Sequence, residues 1–135
     1  MPPNFYIRGY DMRKEIKFDL FAEGETIYFN NLRLNQFEKA IGRSIMPDEF
    51  LMKAKFNQNE TLQGLLIGLR HHYPKATFET VCEKVDNYFD ETGKGIGVIS
   101  DLVLKAIVAT GIYGKELDDI VNNGKDPAEI EIKNE

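Results

Sequence analysis

Tryptophan is absent, cysteine occurs once and histidine only twice, and these scarcities rule out several kinds of chemistry at the outset. With Cys82 alone, no intrachain disulfide can form, and nothing points to an oxidising compartment. No stretch approaches the ~18 consecutive apolar residues of a membrane span. The opening MPPNFYIRGYDMRKE lacks the apolar core of a secretory signal, so the expected location is the cytoplasm. Gly-x-Ser-x-Gly elbows, paired catalytic carboxylates, HExxH metal helices and dinucleotide glycine fingerprints are all missing. The expectation is a chain that is not an enzyme and takes no cofactor and no metal. Net charge is −5, which argues against a duplex-binding surface built on phosphate contacts.

What is present is apolar periodicity. The 135 residues suffice for one domain with its own core. Asn59 to Val85 is the richest stretch. Leu62, Leu65, Leu66 and Leu69 fall at i, i+3, i+4 and i+7, one stripe of a 3.6-residue helix, with Asn59 placed to cap it. Pro74 ends that helix because it donates no N–H and pushes Tyr73 out of the helical region. Thr77 caps a second helix with Phe78, Val81, Cys82 and Val85 on its inner face, completed by Tyr88 and Phe89.

Upstream, Glu15 to Asn30 reads as a β-hairpin. Ile16, Phe18 and Leu20 alternate with Lys17 and Asp19, Glu23-Gly24-Glu25 supplies the turn, and Thr26 to Phe29 has strand character. A lone hairpin is marginal in water, so its apolar face is expected to lie on helices. Asn30-Asn31 starts a helix buried through Leu34, Phe37, Ala40 and Ile41, which Gly42 closes. Pro47 suits a first helical position, followed by Phe50, Leu51 and Ala54. After a glycine-rich break, Val98 to Gly111 carries one more stripe, and a short amphipathic turn surrounds Leu117, Ile120 and Val121. The expected fold class is α+β and mostly helical, an N-terminal hairpin packed on about four to five short amphipathic helices. The expected organisation is an arm over 1–14, one compact domain over 15–113 and an acidic tail over 114–135.

Three features invite a chemical reading, and each has a structural explanation that weighs more. Asp90 could open an EF-hand loop, but the register puts Lys94 at a ligand position and Asp101 where a bidentate glutamate belongs. His71 and His72, adjacent on a helix, would point about 100° apart and so could not share one metal as an i, i+4 pair does; they fit a helix C-terminus. Cys82 lies on an apolar stripe, where a thiol is inert. The basic Arg8, Arg13, Lys14 and Lys17 among Phe5, Tyr6 and Tyr10 are better read as a solvated strand or arm than as a nucleic-acid site.

Three segments resemble a known family. The hairpin IKFDLFAEGETIYFNN leading into LNQFEKAIGRSI, the run TLQGLLIGLRHHYPKATFETVCEKV, and GVISDLVLKAIVATGIYGK are similar to the tail assembly chaperones of long-tailed, siphovirus-like bacteriophages, prophages and gene transfer agents. The shared features are a strand pair before a helix that ends in a Gly-Arg-Ser segment, a leucine-rich helix closed at a proline corner, and a last amphipathic helix. They span roughly Glu15 to Lys115, and none is a catalytic signature. The N-terminal aromatic arm has no counterpart in the resemblance.

The resemblance implies a chaperone in the bacterial host cytoplasm that binds the tape measure protein, helps recruit tail tube subunits and is absent from the mature virion. It also implies a short form that can accompany a frameshift-extended one. Partner-binding residues are expected on the exposed side of the central helix at Ile67, Arg70 and Tyr73, and on the arm at Phe5, Tyr6 and Tyr10. The arm's aromatics suit packing on a second subunit, hence a homo-oligomer, or folding back on their own domain. No nucleic acid or membrane partner is expected. The competing class is a structural head–tail connector or tail-completion protein; a small helical bacterial adaptor is the third.

Overall fold

A computed structural model describes residues 15–46 and 55–124. The expected arm with Phe5, Tyr6 and Tyr10, the helix beginning at Pro47 and the tail beyond Gly124 lie outside the described residues. Within them the order is β1 (Ile16–Lys17), β2 (Thr26–Ile27), α1 (Asn31–Ile41), α2 (Gln58–Gly68), α3 (Phe78–Thr92), α4 (Gly97–Val108) and α5 (Lys115–Asn123). The fold is α+β and mostly helical, with the hairpin packed on the helices.

The hairpin is antiparallel, pairing Ile16 with Ile27 and Lys17 with Thr26. Its strands are shorter than their alternation suggests, and the turn is wider than Glu23-Gly24-Glu25. The Asp19 carboxylate accepts the Gly24 N–H at 2.9 Å, so the chain leaves the ladder at Asp19 and closes a broad loop. Phe18 N–H still donates to the Glu25 carbonyl at 2.8 Å, and the Phe18 ring meets Phe21 edge-on at 5.1 Å. Phe18, Ile27 and Phe29 are completely buried, which gives the two short strands the apolar support a free hairpin lacks.

α1 starts on Asn30, whose side chain accepts the Arg33 N–H, and stops on Gly42 at φ 71°. α2 is the centre of the molecule, flanked by α1, α3 and α4. Its cap is Asn57 rather than the expected Asn59: Asn57 accepts the Glu60 N–H at 2.8 Å while Glu60 accepts the Asn57 N–H at 3.0 Å. That reciprocal box saturates two otherwise orphaned donors at once, which Asn59 could not do. Thr77 caps α3 as expected, accepting the Thr80 N–H.

The leucine stripe of α2 is only part of what it buries. Leu62, Gly64, Leu65, Ile67 and Gly68 are all buried, and only Gln63 and Leu66 in this half of the helix keep partial exposure. The glycines set how closely it is approached. A Cβ on Gly64 would stand 2.6 Å from Val103 Cγ1 of α4, and one on Gly68 would stand 2.7 Å from Ile27 Cγ2. The Tyr28 N–H donates to the Gly68 carbonyl at 2.9 Å, joining the hairpin to the helix end.

α4 begins at Gly97 and ends at Val108. The Thr110 and Gly111 N–H groups then turn back to the Ile107 and Val108 carbonyls at 3.2 and 3.1 Å. The Thr110 hydroxyl also donates to the Ile107 carbonyl at 2.7 Å, and Gly111 stands at φ 86°. α5 continues the packed structure past residue 113, where the sequence reading closed the domain. It lies against α4, and Asn122 Nδ2 donates to the Lys105 carbonyl at 3.2 Å. The Tyr113 hydroxyl donates to the Ile45 carbonyl at 2.7 Å, tying the α4–α5 connection to the segment after α1.

Candidate functional site

Two regions gather polar groups or open surface: the corner after α2, and a groove between β1, α4 and α5. The corner begins where the helix loosens at Leu69. His72 and Tyr73 N–H groups both turn back to the Leu69 carbonyl, at 2.9 and 3.0 Å. Because His71 and His72 stand on a turn and not on an α-helix, their side chains are not splayed by a helical step. Both converge on Thr26 of the hairpin, with ring centroids 4.2 Å apart. This corrects the expectation that they point apart and serve the helix C-terminus.

The donors fix the tautomers, since a guanidinium and a backbone N–H can only donate. Arg33 Nη1 lies 3.0 Å from His71 Nδ1, so Nδ1 accepts and the proton sits on Nε2. His71 Nε2 then donates to the Thr26 hydroxyl at 3.0 Å, and that hydroxyl donates to Glu15 Oε1 at 2.5 Å. His72 Nε2 accepts the Thr26 N–H at 3.0 Å, which places its proton on Nδ1. His71 is held below the ordinary histidine range by burial, then by His72 and Arg33, with Glu15 opposing. Both nitrogens of His71 and Nε2 of His72 are thus committed to Arg33 and Thr26, an arrangement that braces the hairpin. Among the described residues no group of three or more His, Cys, Asp and Glu side chains is arranged to hold a metal.

One residue on, the Tyr73 hydroxyl donates to Glu25 Oε2 in a short hydrogen bond, and Lys84 Nζ lies 4.3 Å from the Tyr73 ring centroid. Burial, followed by the Glu25 hydrogen bond, pushes the Tyr73 phenol up to about 12. Glu25 is itself buried, and its Oε1 has no hydrogen-bond partner among the described residues. Arg70 Nη1 donates to Gln36 Oε1 at 3.1 Å, crossing from the corner to α1.

Of the residues expected on an exposed face, Ile67, Arg70 and Tyr73, the first is not exposed. Ile67 is 3% exposed and belongs to the main core, because α1, α3, α4 and the hairpin close around this half of α2. Reading a helix as having one inner stripe misplaced it. Arg70 and Tyr73 retain partial exposure, each anchored to another element. Phe5, Tyr6 and Tyr10 lie outside the described residues. Cys82 sits half-buried on α3, its thiol pushed up by burial and by Asp86 and Glu79, the opposite of what activates a nucleophile. Asp90 and Thr92 are within α3 and Asp101 within α4, so the segment between them is a helix–helix connection capped by Gly93 at φ 69°.

The groove is an open cavity of about 890 Å³. Ile16, Leu102, Ala109 and Val121 give it apolar walls, and Lys17, Lys105 and Lys115 stand around it with Glu15 and Asp118. α5, which forms one wall, buries none of its residues fully: Leu117, Ile120 and Val121 all stay partly exposed. The sequence offered Leu117, Ile120 and Val121 as an amphipathic turn but gave no sign that β1 and α4 would complete a groove beside them.

No protein-family model, curated protein or solved structure matches this chain. Among the described residues, no helix is long and apolar enough to cross a membrane.

Proposed function

We propose that this chain is a tail assembly chaperone of a siphovirus-like phage or prophage. It binds an amphipathic helical segment of the tape measure protein in the host cytoplasm, assists tail tube assembly and leaves before the virion is complete. The observation that carries the binding role is the groove beside α5. Its apolar walls at Ile16, Leu102 and Val121 suit the inner stripe of a client helix, and its lysines at 17, 105 and 115 suit acidic residues flanking that stripe. The chaperone identity rests on the sequence resemblance, with which the hairpin-and-helix architecture is compatible.

The test is co-expression with the product of a long helix-rich reading frame just downstream, which a tail assembly chaperone should have. The chain should co-purify with that product, Val121→Glu should abolish recovery, and mass spectrometry of purified particles should not find the chain. Stoichiometric chain in particles would instead support a connector or tail-completion protein. Co-purification unaffected by Val121→Glu would remove the groove as the client seat.

A further inference from the structure

The outer side of α1 carries a second surface with a different chemistry. Leu32 is 66% exposed, the most exposed of the large hydrophobic side chains in the described residues. Arg33 follows it, and Gln36 lies one helical turn from both, so the three share one side of the helix. Arg70 reaches the same place from the corner, with Nη1 on Gln36 Oε1 at 3.1 Å.

The two guanidiniums are positioned but not neutralised. Arg33 Nη1 is held at 3.0 Å by both the Tyr28 carbonyl and His71 Nδ1, and its guanidinium carbon lies 5.1 Å from the Tyr28 ring centroid. Its Nε and Nη2, like Arg70 Nε and Nη2, find no acceptor among the described residues, and neither arginine forms an ion pair there. The nearby carboxylate, Glu15, is engaged by the Thr26 hydroxyl at 2.5 Å and stands 3.8 Å from His71 Nε2. Glu15 keeps its charge but pairs with neither arginine, so two guanidiniums set against one carboxylate leave a local positive site in a chain of net charge −5. A guanidinium fork is built to take a carboxylate through two parallel hydrogen bonds, and pre-ordering the fork lowers the entropy lost on binding.

We propose that Leu32, Arg33 and Arg70 form a docking surface for an acidic segment of a protein partner, one with an apolar residue set among its carboxylates. The carboxylates supply the acceptors the two forks lack, and the apolar residue covers Leu32. This proposal does not rest on the chaperone reading: it concerns a different face from the groove and holds for any partner with that chemistry. A nucleic acid would meet the arginines but leave Leu32 uncovered.

The test is a titration of the isotope-labelled full chain, following the arginine side-chain and backbone resonances. The probes are the peptide Glu-Glu-Leu-Glu-Glu-Leu, its lysine counterpart, and a short single-stranded oligothymidylate. Saturable shifts confined to Leu32, Arg33, Gln36 and Arg70 are expected with the acidic peptide, and none with the basic one. Arg33→Gln with Arg70→Gln should weaken the acidic peptide at least about tenfold. Arg70→Gln alone, which leaves the Arg33 bonds to the hairpin intact, should weaken it in the same direction, and Leu32→Ser should weaken it without changing its salt dependence. Absence of shifts would overturn the proposal. So would unchanged binding by the Arg70→Gln variant, or tighter binding of the oligothymidylate than of the peptide at these residues.

Discussion

Gly68 lies so close to Ile27 that a single methyl group added to the glycine would stand 2.7 Å from Ile27 Cγ2 and 2.9 Å from Phe29 Cε2. The hairpin therefore rests on the backbone of α2, and the absence of a side chain at this position sets the distance between sheet and helix. Gly68→Ala should raise intrinsic helix propensity yet destabilise the protein by about 1–3 kcal/mol through overpacking. Gly64→Ala, which would meet Val103 of α4, should behave alike. Gly95→Ala meets nothing within 4 Å and should stay within about 0.5 kcal/mol of the parent. Urea unfolding of the three variants measures this, and a Gly68→Ala variant as stable as the parent would refute the close-contact account.

Arg43 and Glu60 form the second testable pair. Glu60 Oε2 accepts from Arg43 Nε at 2.5 Å and Oε1 from Nη2 at 3.1 Å, while Oε1 also serves the Asn57 N–H. One carboxylate thus closes the N-terminus of α2 and ties it to the segment after α1. Glu60 is 5% exposed, and Arg43→Met would leave its charge buried without a counter-ion, at a cost of about 3 kcal/mol. The Arg43 hydrogen bond, followed by the Asn57 one, holds Glu60 below its ordinary value of 4.5. A depressed carboxyl stabilises above its unfolded pKa and loses that contribution as pH falls through the folded pKa. The parent should therefore lose stability on acidification below 4.5, and Glu60→Gln should remove part of that acid dependence. Chemical unfolding across this range provides the check.

How much of this could be read beforehand depends on what each residue reports. The caps Asn30, Gly42 and Thr77 were legible because capping is local, a side chain or a left-handed backbone acting within four residues. The stripe Leu62, Leu65 and Leu69 was legible from its period. Ile67 was not, because a period shows which side of a helix is most apolar and cannot show that neighbours enclose the other side. Gly64 and Gly68, small residues four apart on a helix, carried the missing signal of close approach. The convergence of His71 and His72 on Thr26 depends on the chain leaving the helix at Leu69 and on a hairpin more than forty residues upstream, and neither is a local property.

Tyr73 and Glu25 supply a third prediction. The phenol is the donor to a buried carboxylate whose other oxygen has no hydrogen-bond partner among the described residues. Tyr73→Phe should cost about 1–3 kcal/mol, since it removes the donor and keeps the carboxylate buried. Glu25→Gln in that background should recover part of the loss, because a neutral amide is less costly to bury than a charge. A double-mutant cycle by thermal or urea unfolding reads the coupling directly, and additive single effects would show that the two groups do not depend on each other.

The histidine corner predicts a dependence on mild acid distinct from that of Glu60. His71 is held below its ordinary value of 6.5 by burial, His72 and Arg33, so the unfolded chain takes up this proton before the folded one does. Between the unfolded and folded pKa values the unfolded state binds more protons, and stability rises with pH across that window. Lowering the pH from above 6.5 should therefore weaken the fold until the folded pKa is passed. Protonation at Nδ1 also sets a cation against Arg33 and breaks the hydrogen bond that His71 accepts from it. His71→Gln cannot titrate, so its stability should fall less than the parent's over the same interval, with the two curves parallel below it. The measurement is urea unfolding in steps from neutral to mildly acidic pH, combined with hydrogen exchange at Thr26, whose N–H is held by the neighbouring His72 Nε2 at 3.0 Å. Loosening of the hairpin from the corner should appear there first. Equal slopes for parent and variant would mean that His71 does not hold the hairpin through its charge state.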